Sequence, residues 1–167
     1  GKYSYCDQLG DTALESFDIA CDEDYVLPFI RDIFAYRGEP LTVLASPWSP
    51  PAWMKSNGEM CHGGFLLPKF YDVWAAYVVK YLLAYREQGI KIRYITVQNE
   101  PKAVQTWESC VYTAEDELRV IRDHLAPALR SAGLSDVGIV IWDHNKERVF
   151  LRARQILAAP RVREMVH

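Results

Sequence analysis

Three short apolar runs, Leu41–Ala45, Ile92–Val97 and Val137–Trp142, are each set between stretches of helical periodicity. This alternation restricts the chain more than any other feature, because strands separated by helices must lie parallel and be joined by right-handed crossovers. Ile92–Val97, β-branched and aromatic and alternating in character, reads as a buried strand, Leu41–Ala45 is consistent with a strand buried on both faces, and Val137–Trp142 reads as a third buried strand. The intervening spacing predicts four helices. The first follows Asp22-Glu23-Asp24, read as an N-cap and first-turn acids, and carries Val26, Ile30, Ile33 and Phe34 up to Gly38. The second opens at Pro68 with an aromatic stripe, Phe70, Trp74, Tyr77, Tyr81 and Tyr85, and closes at Gly89. The third begins at a Thr113/Asp116 box and runs to Gly133, with Pro127 expected to kink it, and the fourth spans Lys146 to Ala158. Residues 1–21 show no sustained period and read as loop.

The strand starts lie about 45 to 50 residues apart, against roughly 30 for a minimal strand–helix–strand unit. The excess falls after the strands, where parallel α/β enzymes place their sites. No glycine-rich phosphate loop follows any strand, which argues against a nucleotide fold. A net charge of -3 without a basic aromatic face argues against nucleic acid. The apolar runs are too short for a membrane span. The four cysteines, Cys6, Cys21, Cys61 and Cys110, are scattered without metal-ligand spacing and leave the compartment open, secreted or cytoplasmic.

Each strand ends in a distinct polar or aromatic set: Ser46-Pro47-Trp48, Asn99-Glu100-Pro101 and Asp143-His144-Asn145. Indole faces pack on sugar rings while amides and carboxylates bond hydroxyls, so this mixture suits a carbohydrate better than a phosphate. Glu100, at the end of the central strand, is the candidate for the chemistry. The residues also admit plainer roles: Trp48 and Trp53 as loop anchors, Asp143 as a helix cap, Glu100 as a solvated strand end. His144 has no nearby cysteine or histidine in sequence, so no metal or cofactor is expected.

The strings Ala45-Ser46-Pro47-Trp48-Ser49-Pro50-Pro51-Ala52-Trp53-Met54-Lys55, Thr96-Val97-Gln98-Asn99-Glu100-Pro101 and Ile141-Trp142-Asp143-His144-Asn145 resemble, in order and spacing, glycoside hydrolase family 30, the glucosylceramidase-like retaining β-glycosidases. The resemblance implies a partial (β/α)₈ TIM barrel in which this chain supplies strands three to five with four helices, and one domain over residues 1–167. It implies that Glu100 is the general acid/base, that Asn99 bonds the sugar 2-hydroxyl, and that Trp48, Asp143 and Asn145 line the sugar site. The expected substrate is a β-glucoside, carbohydrate or glycolipid.

The chain also departs from the family pattern. A retaining glycosidase uses two carboxyl groups about 5 Å apart, and in the family the second stands on the seventh barrel strand. No second acid here occupies a matching motif, so the nucleophile is expected to lie outside the chain and the segment alone to be inactive. Open barrel edges would favour self-association. The alternative reading is a non-catalytic sugar-binding or assembly fragment with an incomplete site.

Overall fold

A computed structural model describes residues 3–167. Its centre is one sheet of three parallel strands in the order β1 (Val43–Ala45), β2 (Ile92–Thr96), β3 (Gly138–Val140). Ala45 pairs with Ile95 and Ile95 with Ile139, so the three strand ends arrive at one level. At the far edge the backbone of His167 donates to Ile139 O at 2.9 Å, and Val166 makes a parallel bridge with Ile139. The chain therefore begins a further parallel position beside β3.

The strands are shorter than the apolar runs that foretold them. Leu41 and Thr42 lie outside β1, and Ile141 and Trp142 outside β3. The cause at β3 is local: Trp142 has φ 54°, a left-handed conformation that breaks the extended backbone.

The helices follow their sequence signals except at two places. Pro68 opens a 3₁₀ turn that leads into α3 (Tyr71–Glu87), and Gly89, at φ 78°, ends it with its N–H on Arg86 O. Trp74, Tyr77, Val78, Leu82 and Tyr85 on α3 pack in the core with Ile95 and Ile139. The Thr113/Asp116 capping box forms as expected at the start of α4 (Ala114–Arg119). The last predicted helix is a 3₁₀ turn at Lys146–Arg148 followed by α6 (Val149–Leu157), and beyond its predicted end comes a separate single turn, α7 (Pro160–Arg163).

The first exception concerns Pro127. Between α4 and α5 (Ala126–Ser131) the chain makes a π-helical turn over Val120–Leu125, in which Ala126 N–H bonds Ile121 O. Proline cannot donate to the carbonyl four residues back. One wide turn ahead of it absorbs the missing bond and keeps the helix continuous.

The second is at residues 22–24. The structure divides this region into α1 (Ala20–Glu23) and α2 (Val26–Arg37), and Tyr25 occupies the cap of α2 without a side-chain bond. Asp22 is not a cap. It is 1 % exposed, and its carboxylate accepts the hydroxyls of Tyr3 (2.7 Å), Tyr5 (2.7 Å) and Tyr85 (2.5 Å). The loop before it is pinned to α3 by side chains: Tyr77 OH accepts from Tyr5 N at 3.0 Å, and Lys80 donates to Leu14 O at 2.6 Å. Among the described residues, no helix is long and apolar enough to cross a membrane.

Candidate active site at the strand ends

Pleat alternation sends Ile95, Val97 and Ile139 toward the helices and leaves Thr96, with Ser46 beside it, on the opposite face of the sheet. Thr96 Oγ1 donates to Ser46 Oγ at 3.0 Å, and Ser46 Oγ donates in turn to the carboxylate of Asp143. This hydroxyl chain crosses all three strands. It gives Asp143 a fixed orientation, and the side chain does not cap the following helix: that turn begins at Asn145 without a side-chain bond.

The backbone closes the same arrangement. Asn99 N donates to Pro47 O at 2.8 Å, Glu100 N donates to Asp143 O at 2.7 Å, and Asn99 and Asp143 form a parallel bridge. Gln98 is 1 % exposed, and its amide donates to Trp48 O at 2.7 Å and to Asn99 O at 2.9 Å. Its other side-chain atom, Oε1, is buried without a partner. Trp48, Asn99, Glu100 and Asp143 thus stand on one rim, at the carboxyl ends of adjacent strands. Trp48 is 49 % exposed, which leaves indole surface open to a ligand.

Glu100 is half-buried and has φ 45°. A non-glycine residue in this region costs about 1–3 kcal/mol and persists only where its surroundings hold it. The following proline narrows its choices further, and a turn forms in which Ala103 N donates to Glu100 O at 2.8 Å. Among the described residues, no hydrogen bond or ion pair reaches the Glu100 carboxylate or the Asn99 amide side chain. Asn145 is more peripheral. Its carbonyl accepts the Trp142 indole N–H at 2.9 Å and its N–H donates to His144 Nδ1 at 2.7 Å, while its side chain is exposed. His144 stacks on Trp142 with ring centres 4.9 Å apart. No group of three or more metal-ligating side chains gathers among the described residues.

A cavity of about 320 Å³ opens between the end of β1 and α3, lined by Tyr5, Ser46, Trp48, Trp74, Tyr77 and Tyr81 among others. Neither Asn99 nor Glu100 lines it. Ser46 and Trp48 belong to both the rim and the lining of this cavity.

Two residues that sequence reasoning passed over lie just beneath the rim. Glu117 is 1 % exposed and Arg152 6 %. Glu117 Oε2 accepts from Arg152 Nε at 2.9 Å, and Glu117 Oε1 accepts from Trp142 N at 3.1 Å. Burial pushes the Glu117 carboxyl up, while Arg152 and the Trp142 N–H oppose that shift. A signal existed in the spacing. Glu117 shares an i, i+4 row with Ile121 and Leu125, and Arg152 one with Ile156, so each charge occupies a core-facing helical position.

Comparisons with known proteins agree with this fold. Residues 1–167 match the family model described as the glycosyl hydrolase family 30 TIM-barrel domain. The chain is 34 % identical to putative glucosylceramidase 4 of Caenorhabditis elegans, over 99 % of this chain and 34 % of that protein. It is 37 % identical to an endo-1,6-β-D-glucanase of Neurospora crassa, over 87 % of this chain and 31 % of that protein. The crystal structure of SrfJ from Salmonella typhimurium superposes with a TM-score of 0.94 at 36 % identity, covering 99 % of this chain and 37 % of that one. The chain spans about a third of the length of the curated relatives it matches. The three parallel strands with their helices are a segment of a TIM barrel, and the chain belongs to glycosyl hydrolase family 30.

Proposed function

We propose that this chain carries the acid/base part of a retaining β-glycosidase site, with Glu100 as the proton donor. The observation that supports the reading best is the state of that side chain. Glu100 stands at the carboxyl end of β2 in a left-handed conformation, with no partner for its carboxylate among the described residues and backbone bonds holding its neighbours. A carboxyl group fixed this way is available to a substrate and does not serve the fold.

In the proposed reaction Glu100 protonates the leaving glycosidic oxygen as a second carboxylate, contributed from outside these 167 residues, attacks the anomeric carbon. Glu100 then removes a proton from the water that releases the sugar, which returns the group to its starting state. Asn99, one residue before it and with its side chain free, is placed to bond the sugar 2-hydroxyl. Trp48 offers an apolar face for the ring. Asp143, already holding Ser46, lines the site as an oriented acceptor and is not the nucleophile, because its carboxylate is committed to the hydroxyl chain. Asn145 would meet the substrate farther out on the same loop.

The proposed substrate class is a β-glucoside, either a glucosylceramide-like glycolipid or a β-1,6-linked glucan, since the relatives named above carry those two activities in their names. The reading is tested by proton NMR of an aryl β-glucoside treated with the complete polypeptide that carries this segment. The first sugar released should be the β-anomer, with the α-anomer growing only by mutarotation. First appearance of the α-anomer would mean a single displacement and would contradict the double-displacement role given to Glu100.

A further inference from the structure

The ion pair beneath the rim raises a question that its stability does not answer. A buried pair often contributes no more than the well-packed apolar residues that could replace it. Yet the hydrogen bonds that Glu117 and Arg152 make beyond their own pair go to Trp142 N and Tyr112 O, groups that lead to Glu100.

The connections form a closed ring. Glu100 N donates to Asp143 O at 2.7 Å, and Asp143 follows Trp142, whose N–H donates to Glu117 Oε1 at 3.1 Å. Glu117 Oε2 accepts from Arg152 Nε at 2.9 Å, and a terminal nitrogen of the same guanidinium donates to Tyr112 O at 2.6 Å. Tyr112 N donates to Pro101 O at 2.8 Å, and Pro101 follows Glu100. The guanidinium also lies over the Trp142 ring, 5.3 Å from its centre. The planar fork of arginine serves two elements at once, α4 through Glu117 and the loop after β2 through Tyr112.

The ring contains two of the four non-glycine residues with positive φ among the described residues, Glu100 at 45° and Trp142 at 54°. Such conformations revert to extended backbone unless neighbouring bonds over-determine them. Here each is held on both sides, Trp142 also through its carbonyl, which accepts from His144 N at 2.8 Å. Trp142 is fixed through its own N–H by Glu117, and Glu100 is fixed through its N–H by Asp143 and through Pro101 by Tyr112 and Arg152.

We propose that the buried Glu117–Arg152 pair is a positioning device for Glu100, setting the backbone angle at which the carboxyl group meets the glycosidic oxygen. The proposal rests on the acid/base reading of Glu100 and adds two residues that touch no substrate. Loosening the ring would displace the proton donor without removing it. Misplacement of a catalytic group by about 1 Å can cost on the order of 100-fold.

The test uses the complete polypeptide and kcat/KM on two β-glucosides, one with an alkyl leaving group that needs protonation and one with dinitrophenolate, which does not. Arg152→Lys keeps the charge and loses the fork; Glu117→Gln keeps an acceptor for Trp142 N and loses the charge. Both are expected to lower kcat/KM for the alkyl glucoside by about 10- to 100-fold and for the dinitrophenyl glucoside by less than about threefold. A merely structural pair would lower both substrates together, in step with the folded fraction read from a thermal melt. That result would overturn the proposal. Glu100→Gln, run beside them, separates the two levels: if it shows the substrate split and the pair variants do not, only the positioning role fails. If Glu100→Gln lowers both substrates equally, the acid/base reading itself fails.

Discussion

Glu100→Gln should lower kcat/KM for a β-glucoside with a poor leaving group by about 10³-fold or more, within the range that general acid catalysis supplies. The substitution is nearly isosteric and leaves the local fold little reason to change. The bonds that hold residue 100 are made by its backbone, from Glu100 N to Asp143 O and from Ala103 N to Glu100 O, and no bond within the chain reaches the side chain among the described residues. Stability should therefore stay within about 0.5 kcal/mol of the parent, as for other substitutions away from packed or bonded groups. The amide cannot protonate the departing oxygen, and it cannot later accept a proton from water. A large loss of rate with an unchanged melting curve is the signature expected. An equal loss in both would place Glu100 in the fold and not in the chemistry.

Asp22→Ala should carry the largest cost in stability, about 3–4 kcal/mol, because three phenolic donors lose one charged acceptor. Hydrogen bonds to a charged group contribute about 1.5–3 kcal/mol each, and shared ones do not add fully. Burial first, with neighbouring phenols and the Asp22 carboxylate after it, raises the Tyr5 and Tyr85 hydroxyls far above their ordinary range, so both remain protonated donors at any working pH. Tyr85 is buried on α3, and removing its acceptor leaves a hydroxyl that water reaches poorly. Tyr3 is more exposed and should lose less. Tyr85→Phe, which removes one donor and leaves the other two bonds, should cost about 1–2 kcal/mol. Urea unfolding of the polypeptide carrying this segment measures both. An Asp22→Ala loss below about 1 kcal/mol would show that the three phenols are satisfied by other groups and that this cluster does not fasten the segment at residues 3–22 to α3.

The course of the backbone was legible because its signals are local. Apolar runs marked the strands, Pro68 and Gly89 the ends of α3, and Thr113 with Asp116 the start of α4. The rim was legible for a different reason: strand ends in a parallel sheet fall on one side, so three motifs far apart in sequence had to converge. What escaped was long-range and polar. Asp22 looked like a cap because it begins an acidic run beside a helical period, and nothing in the sequence says that tyrosines 17, 19 and 63 residues away will converge on it. The π turn before Pro127 escaped because proline predicts that a bond is lost but not how the helix accommodates the loss. Glu117 and Arg152 escaped although their core-facing spacing was visible, because a charge in an apolar row declares its partner only once the elements are packed. The left-handed angles at Glu100 and Trp142 escaped for the same reason. They are set by bonds between loops, not by the residues themselves.

Glu100 is proposed to move the proton in both halves of a double displacement, and azide probes that role in the chemistry itself. In Glu100→Ala a small anion fits the space left by the carboxylate and attacks the glycosyl intermediate without needing a base. With dinitrophenyl β-glucoside as substrate, azide should accelerate turnover of the variant but not of the parent, and the product should be the β-glycosyl azide. No acceleration, with free glucose as the sole product, would contradict the account.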